Sequence, residues 1–159
     1  MANELYETIK KAFFNSTMFT FDKMLMISLE PKPVEQIDAS CFDISGVIGF
    51  SGGVTGNCAL RITAAGAQEL VTRIAGETIE SPAEIADGVG EIVNMIAGNA
   101  KAALADYVVT LSFPEVIRGK GHEIGFHRHS DIVTFGFSSE IGDCIVIVAY
   151  SDPSKTPFK

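Results

Sequence analysis

The chain is poor in cysteine and places what it has badly for cross-linking or metal binding. Its three cysteines, Cys41, Cys58 and Cys144, are far apart, odd in number and without a C-x-x-C pair. That excludes a disulfide framework or a zinc site of ordinary spacing, and free thiols buried in a reducing compartment are expected instead. Positive charge is also short. Lys and Arg number 12 against 20 Asp and Glu, for a net charge of −8. Nucleic-acid affinity comes largely from Lys and Arg displacing counterions from phosphates, so that class of partner is excluded. Long apolar runs are missing too. The longest, Cys144 to Tyr150, falls far short of the roughly 20 residues that span a bilayer. The first eleven residues lack the apolar centre of a signal peptide. A cytoplasmic protein without membrane contact is expected.

What is present is an ordinary globular composition, 47% hydrophobic and 20% charged. A chain of 159 residues buries roughly two-thirds of its unfolded surface, enough to fold without disulfide or metal. The reading is one domain over 1–159, with 152–159 a loose tail carrying two prolines.

Residues 4–20 carry Leu5, Ile9, Phe13 and Phe14 at the spacing of an amphipathic helix. Pro31 and Pro33 mark a connection. Strand character over Cys41–Phe50 and Asn57–Thr63 flanks the turn SGGVTG, a hairpin pattern. A short helix over 65–75 ends at Gly76. Ser81, Pro82 and Glu84 form a capping-box signature, from which a helix runs to about Asp106. Strands are expected at Val108–Leu111, Pro114–Ile117, Glu123–His129, Asp131–Ser138 and Ile141–Tyr150, with turns at 119–121 and 142–143. The first helix with the strand stretch after it faintly repeats in the long helix and its sequel. The fold class is therefore α/β in the α+β sense: a pseudo-symmetric domain with helices packed on an antiparallel sheet.

On the helix from Pro82, Glu84, Asp87, Glu91, Asn94, Gly98 and Lys101 fall in one line at steps of three and four. Ile85, Val89, Ile92, Val93, Ile96, Ala100 and Leu104 occupy the other face. Every amphipathic helix has a solvated face, and for an arbitrary helix that accounts for such a line. Three choices here run against helix stability. Glu84, Asp87 and Glu91 repel one another across adjacent turns, at roughly 0.2–0.5 kcal/mol per pair. Asn94 is a mediocre helix former in mid-helix. Gly98 is about 1 kcal/mol worse than Ala and leaves a gap through which another surface can approach the backbone. Unfavourable choices gathered on one face are what a binding site looks like.

Glu91 and Asn94 project in parallel from neighbouring turns, one an anionic acceptor, the other both donor and acceptor. No serine or histidine joins them, so they are not a nucleophile–base pair. An amide can orient a water for attack on a phosphoryl group, and a carboxylate can hold a partner's cation. Both roles are positioning, which suits phosphoryl transfer.

The string DGVGEIVNMIAGNAK from Asp87 to Lys101, with Pro114 beyond it, resembles the acid-x-x-x-Glu-x-x-Asn…Pro pattern of the CheC/CheX/FliY chemotaxis phosphatases. The run NMIAGNAKA resembles the CheX branch in particular, and the order of elements is similar along nearly the whole chain. The resemblance implies a hydrolase acting on the aspartyl phosphate of a CheY-like response regulator. Glu91 would pair with the regulator's active-site lysine, and Asn94 would enter its phosphorylation site and orient the attacking water. Glu84, Asp87, Gly98 and Lys101 would meet the partner. No cofactor of its own is implied, because magnesium would belong to the regulator. Relatives with two active helices carry the motif twice. Here Asn15 has Ala12 three residues before it rather than Glu, so the first helix is expected to be inactive, as in the single-site, homodimeric CheX branch. The alternative is a CheX-like domain that binds a receiver or flagellar component without turnover.

Three further features weigh less. His127 and His129 lie two apart and would share one side of a strand, but no third metal ligand is near. The glycines from Gly49 to Gly56 precede a strand and lack Gly-Lys-Ser/Thr, so they read as a hairpin turn, not a phosphate loop. Asn99 points off the Glu91–Asn94 line and is expected to bridge structure.

Overall fold

Helix α1 (Ala2–Phe19) opens the described part of the computed structural model, residues 2–153. Leu5, Ile9, Ala12 and Phe13 are buried along its inner face, and one turn of wider π-helix over Thr20–Met24 carries it further. A two-residue strand, β1 (Glu30–Pro31), follows. Its proline is tolerated because β1 lies at the sheet edge. The hairpin β2 (Ile44–Ser51) and β3 (Thr55–Ile62) leads into α2 (Ala64–Ala75). Thr63 Oγ1 caps α2 by accepting from Gly66 N at 3.0 Å, and Gly76 ends it in the left-handed region at φ 75°. Helix α3 (Pro82–Ala103) starts where the capping signature predicts, with Ser81 Oγ accepting from Glu84 N at 3.4 Å. The reciprocal half of the box is absent: the Glu84 carboxylate makes no hydrogen bond among the described residues. The helix stops at Ala103, short of Asp106, because a 3₁₀ turn over Ala105–Tyr107 brings Val108 into the left-handed region.

The remaining strands are β4 (Thr110–Leu111), β5 (Glu115–Arg118), β6 (Asp131–Ser138) and β7 (Cys144–Ser151). All pairings are antiparallel, in the order β1-β6-β7-β3-β2, with β4 and β5 sharing the outer edge of β2. The three helices pack on one face in a single core containing Phe13, Leu70, Ile92, Ile96, Ile48, Leu60 and Val146. A smaller cluster of Ile37, Phe42 and Ile145 sits on the opposite face. The expected antiparallel α+β architecture is thus present. No described helix is long and apolar enough to cross a membrane. Of the expected tail, Asp152 is buried and Pro153 exposed, and 154–159 lie outside the described residues.

The expected strand at Glu123–His129 is a correction. Exposure alternates along 121–127 as in a strand, yet no ladder forms. The chain must travel from β5 on one edge to β6 on the far side, and it does so across the outer face of β2, β3 and β7. His122 is fastened there. Its Nε2 lies 2.7 Å from Ser45 Oγ on β2, and its carbonyl accepts from Arg61 Nη2 on β3 at 2.5 Å. A segment crossing strands cannot pair with them.

Beside α3, β4 and β5 form one edge strand with a β-bulge. Leu111 faces Phe50 and Glu115 faces Val47, so three steps along β2 are matched by four on the edge. The extra residue lies within Ser112–Phe113–Pro114.

Candidate functional site

Four aliphatic side chains hold α3 in place. Val89, Ile92, Val93 and Ile96 are completely buried, and at about 1.5–3 kcal/mol each they supply an upper estimate near 10 kcal/mol. Gly46 of β2 makes the close seat possible, since a Cβ there would stand 3.1 Å from both Val89 and Val93. The helix is thereby fixed in rotation, and its polar line is presented outward. Glu84, Asp87, Glu91, Gly98 and Lys101 are exposed and Asn94 is half-buried. At 1.5 Å per residue, Glu91 and Asn94 stand about 4.5 Å apart along the axis. Neither they nor Glu84, Asp87 or Lys101 has a side-chain hydrogen bond or ion pair among the described residues. Three carboxylates in a row without an internal counter-charge make an acidic ridge whose groups are available to another molecule.

The three glycines of α3 have different reasons. Gly88 meets α2, where a Cβ would come within 2.3 Å of Val71 Cγ2. Gly90 is buried beneath Pro114 and Val116, whose carbons would stand 3.5–3.7 Å from a Cβ added there. At Gly98 a Cβ would meet nothing within 4 Å, so no contact among the described residues asks for glycine there. Asn99 bridges structure as expected, its Nδ2 donating to Thr20 Oγ1 at 3.0 Å. Ser16 of α1 donates to the Ile96 carbonyl, which locks the two helices side by side.

On α1, Ala12 is buried while Asn15 is exposed. Both line a groove of about 450 Å³ with Lys11, Phe19 and Asn99, and the position corresponding to Glu91 offers no carboxylate. The glycine loop is a hairpin, as expected. Its glycines serve close packing: a Cβ at Gly52 would lie 2.4 Å from the Val108 carbonyl oxygen, and Gly53 N donates to Tyr107 O at 2.7 Å. His127 and His129 are exposed with ring centroids 5.3 Å apart. Among the described residues, no three His, Cys, Asp or Glu are grouped to hold a metal ion.

Burial pushes the thiols of Cys58 and Cys144 up to about 12, as expected of inert core cysteines, the latter aided by the nearby Asp143 carboxylate. Cys41 departs from that expectation: it is exposed on a 3₁₀ turn. The feature that sequence reasoning missed at the site is Phe113. It is 93% exposed and follows directly from the bulge, which no residue pattern announced.

The family described as Chemotaxis phosphatase CheX matches residues 44–138. No curated protein sequence matches the chain. Among solved structures, a putative chemotaxis protein from Desulfovibrio vulgaris Hildenborough is 31% identical, covering 90% of this chain and 96% of its own, with a TM-score of 0.78. The chemotaxis protein CheX from Vibrio vulnificus is 29% identical with the same coverage and TM-score. The CheX of a CheX–CheY–BeF3–Mg complex from Borrelia burgdorferi shares the fold at 21% identity, covering 89% and 96%, with a TM-score of 0.71.

Proposed function

The chain belongs to the CheX family of chemotaxis phosphatases, and from that premise we propose that it hydrolyses the aspartyl phosphate of a CheY-like response regulator through Glu91 and Asn94. The observation that carries this reading is the pair itself: two side chains one turn apart, unpartnered among the described residues, on a helix whose rotation is fixed by its core. That the Borrelia relative was solved in a complex with CheY supports a receiver domain as the partner.

On this reading Glu91 forms an ion pair with the regulator's active-site lysine and sets the register of docking. Asn94 enters the phosphorylation site and holds one water in line with the phosphorus. The water oxygen forms a new bond to phosphorus as the bond to the aspartyl oxygen breaks. Aspartate leaves as a carboxylate, and the water's proton ends on the released phosphate. Little covalent work is asked of this chain, whose contribution is position. Magnesium belongs to the regulator, where it offsets charge on the phosphoryl oxygens. Glu84, Asp87 and Lys101 border the docking face, and Gly98 admits the partner's surface close to the helix. The protein works in the cytoplasm as a homodimer, with α1 contributing no second site because Ala12 stands where a carboxylate is needed.

The test is loss of phosphate from each phosphorylated receiver of the source organism, with and without the purified chain. Acceleration by the wild type and a loss of about 100-fold or more in Asn94→Ala, with unchanged melting, is expected. Full activity in Asn94→Ala removes the mechanism. Binding without acceleration favours the non-catalytic alternative.

A further inference from the structure

We propose that Phe113 is an aromatic anchor that seats in an apolar hollow of the receiver beside its phosphorylation site; this rests on the receiver reading above. The bulge creates the feature. In regular alternation residue 113 would follow Leu111 to the helix side of the sheet, opposite Ile48. The extra residue gives that slot to Pro114, whose ring packs on Gly90, and turns Phe113 to solvent. Bulges re-aim side chains in this way.

The ring is displayed from a backbone held on both sides. Ser112 N donates to Gly49 O at 2.9 Å, and Ser112 Oγ accepts from Gly49 N at 2.8 Å. Ser112 Oγ also donates to the Phe113 carbonyl at 3.1 Å. On the other side Pro114 has a fixed φ and is wedged against α3. An anchor prepared in this way loses little backbone freedom on binding.

Position names the occupant. Gly90 precedes Glu91 and lies one turn from Asn94 on adjoining helix surface, so Pro114 borders the catalytic pair and Phe113 comes next. A standard interface covers about 800 Å² per partner, a patch of roughly 16 Å radius. On this proposal a receiver that takes Asn94 into its phosphorylation site also covers the edge strand at Phe113, next to the Pro114 that packs against Gly90. The acidic ridge steers encounter, but that attraction is screened by salt. A desolvated aromatic near the centre supplies affinity that salt does not remove.

The experiment measures kcat and KM for dephosphorylation of the responsive receiver by wild type, Asn94→Ala, Phe113→Ala and Phe113→Leu. Phe113→Ala is expected to raise KM tenfold or more with kcat within twofold, Phe113→Leu to recover part of the loss, and Asn94→Ala to lose kcat instead. If wild type works, Asn94→Ala fails and Phe113→Ala keeps its KM, the anchor is overturned and the phosphatase reading stands. A fall in kcat alone in Phe113→Ala also overturns it. If the wild type accelerates no receiver, the underlying reading fails and takes the anchor with it. Misfolding does not confuse the result, because removing a ring this exposed leaves the melting temperature within about 2 °C.

Discussion

Pro114 lies on Gly90, its Cγ 3.6 Å from where a side chain on that glycine would begin. One contact thereby joins the sheet edge to the helix that carries Glu91 and Asn94. An added methyl fits there at ordinary van der Waals distance, whereas a branched side chain does not. Gly90→Ala is therefore expected to keep activity and stability. Gly90→Leu is expected to lose about 1–3 kcal/mol and to displace the 112–114 loop. Urea unfolding, paired with KM for the receiver, checks both.

Gly88 and Gly98 are expected to respond with opposite sign to the same substitution. Alanine at Gly98 enters open space and gains about 0.5–1 kcal/mol of helix stability. Alanine at Gly88 meets the stiff, branched Val71 at 2.3 Å and is expected to cost about 1–3 kcal/mol. If Gly98 admits the partner, Gly98→Ala is more stable and yet binds the receiver more weakly. Melting curves and binding measured on the same sample separate the two effects.

Ser45 is completely buried and holds His122 Nε2 at 2.7 Å. Ser45→Ala leaves that nitrogen without its partner and loosens the only side-chain tie between 119–130 and β2 among the described residues. A loss of about 1–3 kcal/mol is expected, read by urea unfolding, with faster amide exchange in 119–130.

Stability is expected to fall in alkali. Burial pushes Cys58 and Cys144 from the ordinary 9.0 to about 12. It also raises Tyr150 from 10.0 to about 12, aided by the charges of Asp131 and Asp152. These groups ionise in the unfolded chain before they ionise in the folded one. Their contribution is whole below pH 9 and is lost as pH rises from 9 towards 12, each thiol at a slope of up to roughly 1.4 kcal/mol per pH unit. Denaturant midpoints between pH 8 and 11 test this. A flat profile overturns it.

The local chemistry of α3 was legible from residue spacing. Ser81, Pro82 and a 3.6-residue apolar period specify a helix, and the same period places Glu91 and Asn94 on one exposed line. These are interactions within a turn or two, and they hold whatever else the chain does. The strands with strong apolar alternation were legible for the same reason, Asp131–Ser138 to the residue.

Long-range register decided the rest. Glu123–His129 reads as a strand, but whether a ladder forms depends on where the chain has to go, and here it crosses the sheet. The glycines at 52, 53, 88 and 90 look alike in sequence, and only the packing partner of each shows why it is glycine. Phe113 lies next to a proline, between the expected strands Val108–Leu111 and Pro114–Ile117. Only the pairing of Leu111 with Phe50 and of Glu115 with Val47 reveals the extra residue that turns its ring outward. The sequence alone determined which helix carries the polar pair, because helical spacing is a local property. What stands beside that pair was left to the tertiary structure, because a bulge exists only relative to the strand it faces.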